Sequence, residues 1–151
     1  MKAIRVFTDG GCSGNPGPGA WAFIIARDGG TAASSGAEPE TTNNRMELTA
    51  VIRAFEALTE VGHDRGSVEV HTDSQYVKKG ITEWIHAWRR KGWRNSAGDP
   101  VKNRELWERL LELTDALEPD WHWVRGHAGD PLNEECDRLV QTEIRRLKKG
   151  P

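Results

Sequence analysis

Ile4-Arg5-Val6-Phe7-Thr8-Asp9 runs straight into Gly10-Gly11-Cys12-Ser13-Gly14-Asn15-Pro16-Gly17-Pro18-Gly19, and the way this stretch is read decides the fold. The alternating apolar run predicts a strand over residues 2–9, closed by Asp9 and followed by a glycine-rich loop. Ala20 to Ala26 reads as a second strand and Thr31 to Ala37 as a weaker third, with Asp28-Gly29-Gly30 as the hairpin turn between them. The chain therefore begins as a meander.

From about Thr42 to Val61 the apolar residues Leu48, Val51, Ile52, Phe55 and Leu58 recur at the spacing of one buried helix face. Thr42 or Asn44 can cap this helix and Gly62 can end it. Ser67 to Thr72 predicts a short strand, Asp73 to Lys79 and Thr82 to Lys91 two helical stretches, and Arg104 to Leu117 an amphipathic helix. Trp121 to Arg125 reads as a strand, and Asp130-Pro131 opens the last helix with a capping acid and a proline at its first position. The order βββαβαααβα predicts an α/β fold: a mixed five-stranded sheet with helices on both faces.

At 151 residues the chain is expected to be one domain, residues 1–151, able to bury about two-thirds of its unfolded surface without staples. Cys12 and Cys136 fit a reduced intracellular protein better than a disulfide framework. Met1 leads directly into the strand pattern with no export leader, and no apolar stretch approaches the roughly 18 residues of a membrane span. A cytoplasmic monomer with no membrane association is expected. The net charge of −2 hides an asymmetry: Lys78 to Lys102 carries seven cations (Lys78, Lys79, Arg89, Arg90, Lys91, Arg94 and Lys102) against Glu83 and Asp99. Such a block can grip phosphate while acids elsewhere hold cations.

Four of those acids stand at strand or helix junctions. Asp9 and Asp73 each end a strand, so neighbouring strands would set them side by side. Glu47, in the first helical turn, lies one turn before the buried Val51 and can point toward the sheet. Asp137 shares a face with Val140 and Ile144. Taken singly, each has a plain structural role: Asp9-Gly10 as a turn, Glu47 in a capping box with Asn44, and Asp73 as a helix cap. Taken together, four inward acids repel one another unless cations neutralise them. Hard oxygen donors without a thiolate cluster suit Mg²⁺, with Mn²⁺ as a substitute, and two such ions can drive an in-line phosphodiester displacement.

In order along the chain, the words Thr8 to Gly19, Thr41-Thr42-Asn43-Asn44-Arg45-Met46-Glu47-Leu48, Thr72-Asp73-Ser74-Gln75-Tyr76-Val77, and Gly126-His127-Ala128-Gly129-Asp130-Pro131 with Asn133 and Asp137 resemble bacterial type 1 ribonuclease H. The likeness runs from about Ile4 to Val140. It implies a ribonuclease H-like fold and an endonuclease that cuts the RNA strand of RNA–DNA hybrids. Products would carry 5′-phosphate and 3′-hydroxyl ends, with no covalent enzyme intermediate. By that resemblance Asp9, Glu47, Asp73 and Asp137 are the catalytic ligands of two Mg²⁺ ions, and His127 assists proton transfer. An imidazole in a glycine-flanked loop, with a pKa near neutrality, suits that task. His63, His71, His86 and His122 have no such context and are read as structural or surface residues.

The resemblance also places Cys12, Asn15, Asn44 and Gln75 on the hybrid near the cut, Asn43 on the DNA side, and Thr42 with Asn103 in a DNA-phosphate pocket. The segment holding Trp88, Arg89, Arg90, Lys91, Trp93 and Arg94 matches a protruding basic handle on the DNA backbone. Two departures predict a weaker grip: Glu40 stands where an arginine often assists, and Gly98-Asp99 where relatives are lysine-rich. Trp84, four residues before Trp88, is read as packing. The glycine loop lacks the lysine and following Ser/Thr of a triphosphate-binding loop; its bare backbone can instead sense a 2′-hydroxyl. Two alternatives use the same fold. An integrase-like nuclease or strand transferase typically lacks the glycine loop and the handle, and a non-catalytic hybrid-binding module would lack one of the acids.

Overall fold

Strand β1 (Ile4–Cys12) pairs antiparallel with β2 (Gly17–Arg27) from Arg5↔Ala26 to Cys12↔Gly19, so regular strand continues through Asp9 instead of closing there. The cross-strand ladder carries Gly10 and Gly11, which local propensity alone assigns to a loop. The computed structural model describes residues 4–60, 67–123 and 130–149. β3 (Gly30–Thr41) pairs antiparallel with β2 and is longer than its sequence pattern suggests; Asp28 and Gly29, the latter at φ 97°, form the turn.

Helix α1 (Asn43–Glu60) follows, capped by Thr42, whose hydroxyl accepts from the Arg45 amide at 3.2 Å. β4 (Val68–Thr72) and β5 (Asp120–Trp123) complete a sheet of order β3-β2-β1-β4-β5, in which β1 pairs parallel with β4 and β4 with β5. The sheet is mixed and five-stranded, as the element order predicts. Gly62 and the end of the strand expected to reach Arg125 lie outside the described residues.

Side-chain alternation sorts the two faces. Ile4, Val6, Phe23, Ile25, Val68 and Val70 belong to the core with α1 and α4 (Arg104–Leu117). Phe7, Ile24 and Ala26 pack with Cys136, and Ala20 and Ala22 with Val140 and Ile144, all under α5 (Pro131–Lys149). Between β4 and α4 the chain forms α2 (Gln75–Lys79), a widened π turn (Gly80–Trp84) and α3 (Ile85–Arg90) without interruption, where the sequence predicts two separate stretches. A Cβ on Gly80 would lie 1.9 Å from the Trp107 ring, so only glycine lets this turn close over the buried indole. Ser74, not Asp73, caps α2, accepting from the Val77 amide at 3.1 Å. That leaves the Asp73 carboxylate out of the capping role. No helix among the described residues is long and apolar enough to cross a membrane.

Candidate active site

The parallel register of β1 and β4 pairs Phe7 with His71, and two residues further along each chain stand Asp9 and Asp73. Asp9 therefore sits within β1, and Asp73 just past the end of β4. Glu47 arrives because Gly10 has no side chain. A Cβ there would lie 2.4 Å from the Met46 carbonyl carbon and 2.5 Å from the Glu47 nitrogen, so the start of α1 rests directly on the β1 backbone. Asp137 arrives on α5, which crosses the other face. Its neighbour Cys136 donates to the Phe7 carbonyl at 3.4 Å, and Val140 packs 3.3 Å from where a Cβ on Gly11 would stand.

The charges respond to this assembly. The Asp9 carboxyl is pushed from 3.8 up to about 8, first by burial and then by Asp73 and Asp137, against a lowering hydrogen bond from the Gly10 amide, with Glu47 adding to the rise. Glu47 is pushed from 4.5 up to about 7 by burial, opposed by a hydrogen bond from Ser74 and reinforced by Asp73. Asn43 Nδ2 donates to Glu47 Oε1 at 3.2 Å and orients it. Among the described residues, no three acidic, imidazole or thiol groups stand close enough together to hold a metal ion as they are. Repelling carboxylates in an open arrangement fit Mg²⁺, which keeps several waters and is commonly completed by substrate phosphate oxygens. The donor set is oxygen throughout: Cys12 Sγ is directed to the Gly17 and Thr41 carbonyls at 3.4 and 3.3 Å, and burial pushes the Cys136 thiol up to about 12.

His127 lies outside the described residues. Phe7, His71 and His122 stack in a row across β1, β4 and β5 at 4.7 and 4.9 Å, consistent with a structural place for those two histidines. Burial, with His122 beside it, holds His71 below the usual imidazole range.

Asn44 and Tyr76, each three residues along the sequence from one of the acids, belong to an open cleft of about 520 Å³ lined also by Asn15, Thr42, Trp88, Asn95, Val101, Lys102 and Asn103. It brings together five of the residues expected to contact nucleic acid: Asn15, Thr42, Asn44, Trp88 and Asn103. Asn15 Oδ1 accepts from the Asn43 amide at 3.0 Å, tying the glycine loop to the start of α1. Gln75 is exposed at the start of α2. A second cavity of about 320 Å³, lined by Trp84, Ala87, Trp88, Lys91, Arg94, Asn95 and Ser96, adjoins it through Trp88 and Asn95. Arg89, Arg90 and Lys91 are exposed at the end of α3, whereas an Arg94 guanidinium nitrogen is held by the Gly98 carbonyl at 2.9 Å. Trp84 packs as expected, its ring against Tyr76 and Trp88 at 5.8 Å from each. Trp93 lies 6.1 Å from Trp88 with the Arg104 guanidinium over it. Glu40 is exposed, and nearby Arg45 bridges Glu38 and Glu105 at 3.3 and 3.0 Å.

Tyr76 and Asn95 also line the cleft although the sequence assigns neither to nucleic acid, and Lys102, counted in the basic block, joins them. Tyr76 had one available signal, since it lies three residues after Asp73 in the same word.

Comparison with known proteins places the chain in a family. A sequence model of the RNase H family matches residues 1–145. Ribonuclease H of Xanthomonas campestris pv. campestris is 53% identical over 150 residues, covering 99% of this chain and 97% of that protein. Ribonuclease H of Nitrosomonas eutropha is 51% identical over 147 residues, covering 95% and 91%. Among solved structures, LC9-RNase H1, a type 1 RNase H with the type 2 active-site motif, superposes with a TM-score of 0.82 at 36% identity, over 96% of this chain and 73% of that one. LC11-RNase H1, solved in complex with RNA/DNA hybrid, superposes with a TM-score of 0.72 at 26% identity, over 94% and 96%. With near-full-length relatives at half identity and a fold shared with solved type 1 enzymes, the chain belongs to the ribonuclease H family.

Proposed function

We propose that the protein hydrolyses the RNA strand of RNA–DNA hybrids as a metal-dependent endonuclease. The observation that supports this reading is that Asp73, Asp137 and Glu47 all act on the Asp9 carboxyl and help raise it to about 8, while Glu47 is raised to about 7. Acids forced together in this way are an unfavourable arrangement until divalent cations occupy the space between them.

Asp9, Glu47, Asp73 and Asp137 would hold two Mg²⁺ ions, with Mn²⁺ as a substitute. The ions supply positive charge that lowers the pKa of water and stabilises the leaving oxygen. Asn43 keeps Glu47 oriented for that role. Water attacks the scissile phosphorus in line with the departing 3′ oxygen, which leaves a 5′-phosphate and a 3′-hydroxyl. His127 is assigned to move a proton in this step. Cys12, Asn15, Asn43, Asn44 and Gln75 are assigned to the strands near the cut, Thr42 and Asn103 to a phosphate of the DNA strand, and Trp88, Arg89, Arg90, Lys91, Trp93 and Arg94 to its backbone further along. The protein is read as a single domain over residues 1–151 that acts as a cytoplasmic monomer; its two thiols, both free, fit a reducing compartment.

End-labelled RNA–DNA hybrid, RNA duplex and DNA duplex, incubated with and without Mg²⁺, test the proposal. Cleavage confined to the RNA of the hybrid and to the metal-containing samples is expected. Equal cleavage of every duplex would defeat the substrate assignment.

A further inference from the structure

Asn103 occupies the N-cap position of α4 with a left-handed backbone, φ 60° and ψ 29°, and makes no side-chain capping bond. Asparagine tolerates the left-handed backbone better than most residues, but the missing bond runs against its chemistry. Asparagine is among the best N-cap residues because its side-chain oxygen accepts from the first free amides of the helix. Here only the main chain caps, the Asn103 carbonyl accepting from the Leu106 and Trp107 amides at 3.0 Å each. The side-chain amide turns elsewhere, and Asn103 Nδ2 donates to the Tyr76 hydroxyl at 3.3 Å. A side chain withheld from its favoured capping bond and bonded across to another helix is held there by its surroundings.

The anchor is well fixed. Trp107 is fully buried and its indole nitrogen donates to the same phenolic oxygen at 3.0 Å. The Tyr76 ring rests against Trp107 at 5.2 Å and against Trp84 at 5.8 Å, which immobilises it from two sides. The phenolic oxygen accepts from two donors, the buried indole and the Asn103 amide. The oxygen is therefore a rigid post between α2 and α4. It sits in the wall of the cleft that also contains Thr42 and Asn44.

We infer that Tyr76 is a positioning residue for the nucleic-acid backbone: its hydroxyl holds the Asn103 amide in the cleft that Thr42 also lines, instead of letting it fold back onto α4. This rests on the reading that Thr42 and Asn103 receive a phosphate of the DNA strand. Tyr76 also follows Asp73 by three residues, so the segment that carries a catalytic acid sets the phosphate pocket as well. Register between the strand being held and the strand being cut is thus built into one short stretch, Asp73 to Tyr76.

Tyr76→Phe keeps the ring and its packing and removes only the post. Asn103 is then expected to swing onto its own helix. The test is steady-state cleavage of RNA–DNA hybrid by the wild type, Tyr76→Phe, Asn103→Ala and the double variant. Each single change is expected to raise KM by about tenfold, the lower end of what a hydrogen bond to a charged group is worth, with kcat within about twofold. Because the two residues act as one unit, the double variant should be no worse than the poorer single variant. An unchanged KM in Tyr76→Phe, additive effects in the double variant, or a collapse of kcat with KM unmoved would each overturn the positioning role while leaving the hybrid nuclease reading intact. A wild-type protein that fails to cut the hybrid would remove both.

Discussion

The backbone nitrogen of Glu47 lies 2.5 Å from where a Cβ on Gly10 would stand. One carboxylate of the site is thereby placed by the absence of an atom on the strand residue next to another. Gly10→Ala is expected to push the start of α1 off β1 and draw Glu47 away from Asp9 and Asp73. Destabilisation of about 1–3 kcal/mol, the scale of overpacking, should accompany loss of most cleavage activity. Urea unfolding and hybrid cleavage measured on the same preparation decide it, and a fully active, fully stable Gly10→Ala would show that this close approach does not set the site.

Asp9→Asn should nearly abolish cleavage while leaving the fold intact, since it removes a charged ligand and almost no volume. The metal-free protein should also change its pH dependence. The folded pKa of Asp9, about 8, is raised above its ordinary 3.8. Its favourable contribution is therefore fully present below about pH 4 and is lost as pH rises through about 8. Glu47, raised from 4.5 to about 7, acts with the same sign. Without metal, wild-type stability should fall between pH 5 and 8 more steeply than that of Asp9→Asn, and Mg²⁺ should restore it only in the wild type. Thermal melts in chelator and in Mg²⁺ at pH 5 and pH 8 measure this; parallel curves for the two proteins would contradict it.

His127→Ala should lower turnover by roughly 10²-fold, the scale of general acid–base assistance, with Mg²⁺ affinity nearly unchanged. Calorimetric titration with Mg²⁺ separates the possibilities, because disappearance of the metal-binding isotherm would reassign His127 as a ligand.

The exposed cations at the end of α3 should supply backbone attraction without regard to sequence. Arg89, Arg90 and Lys91 changed together to alanine should raise KM and lower the salt dependence of binding by about one unit of slope for each phosphate no longer neutralised, with kcat little changed. Arg94, bonded to the Gly98 carbonyl, should behave differently, because its removal also loosens the loop between Arg94 and Pro100. Binding isotherms at several salt concentrations check both expectations; an unchanged slope with a collapsed kcat would mean the segment supports the catalytic centre instead.

Residues 104–117 were legible as α4 to the residue, because an amphipathic stripe through Leu106, Trp107, Leu110 and Leu113 is a local property that packing only has to accept. The element order, the mixed sheet, the Asp130-Pro131 start of α5 and the packing role of Trp84 followed from the same kind of local pattern. What local pattern cannot carry is a partner supplied by another part of the chain. β1 runs on through Asp9 and two glycines because β2 offers a ladder across from them. The segment from Gln75 to Arg90 is continuous because Trp107, far along the chain, fills the space that only Gly80 leaves open. The acids were recognisable as types at junctions, but the raised ionisation of Asp9 and Glu47 comes from burial and from carboxylates brought in by distant parts of the chain, an environment that exists only once the sheet and both helix layers have closed. Asn103 is assigned to a phosphate pocket only through the family resemblance; that its amide is held to Tyr76 was decided by the tertiary structure, in which the buried Trp107 indole bonds the same oxygen.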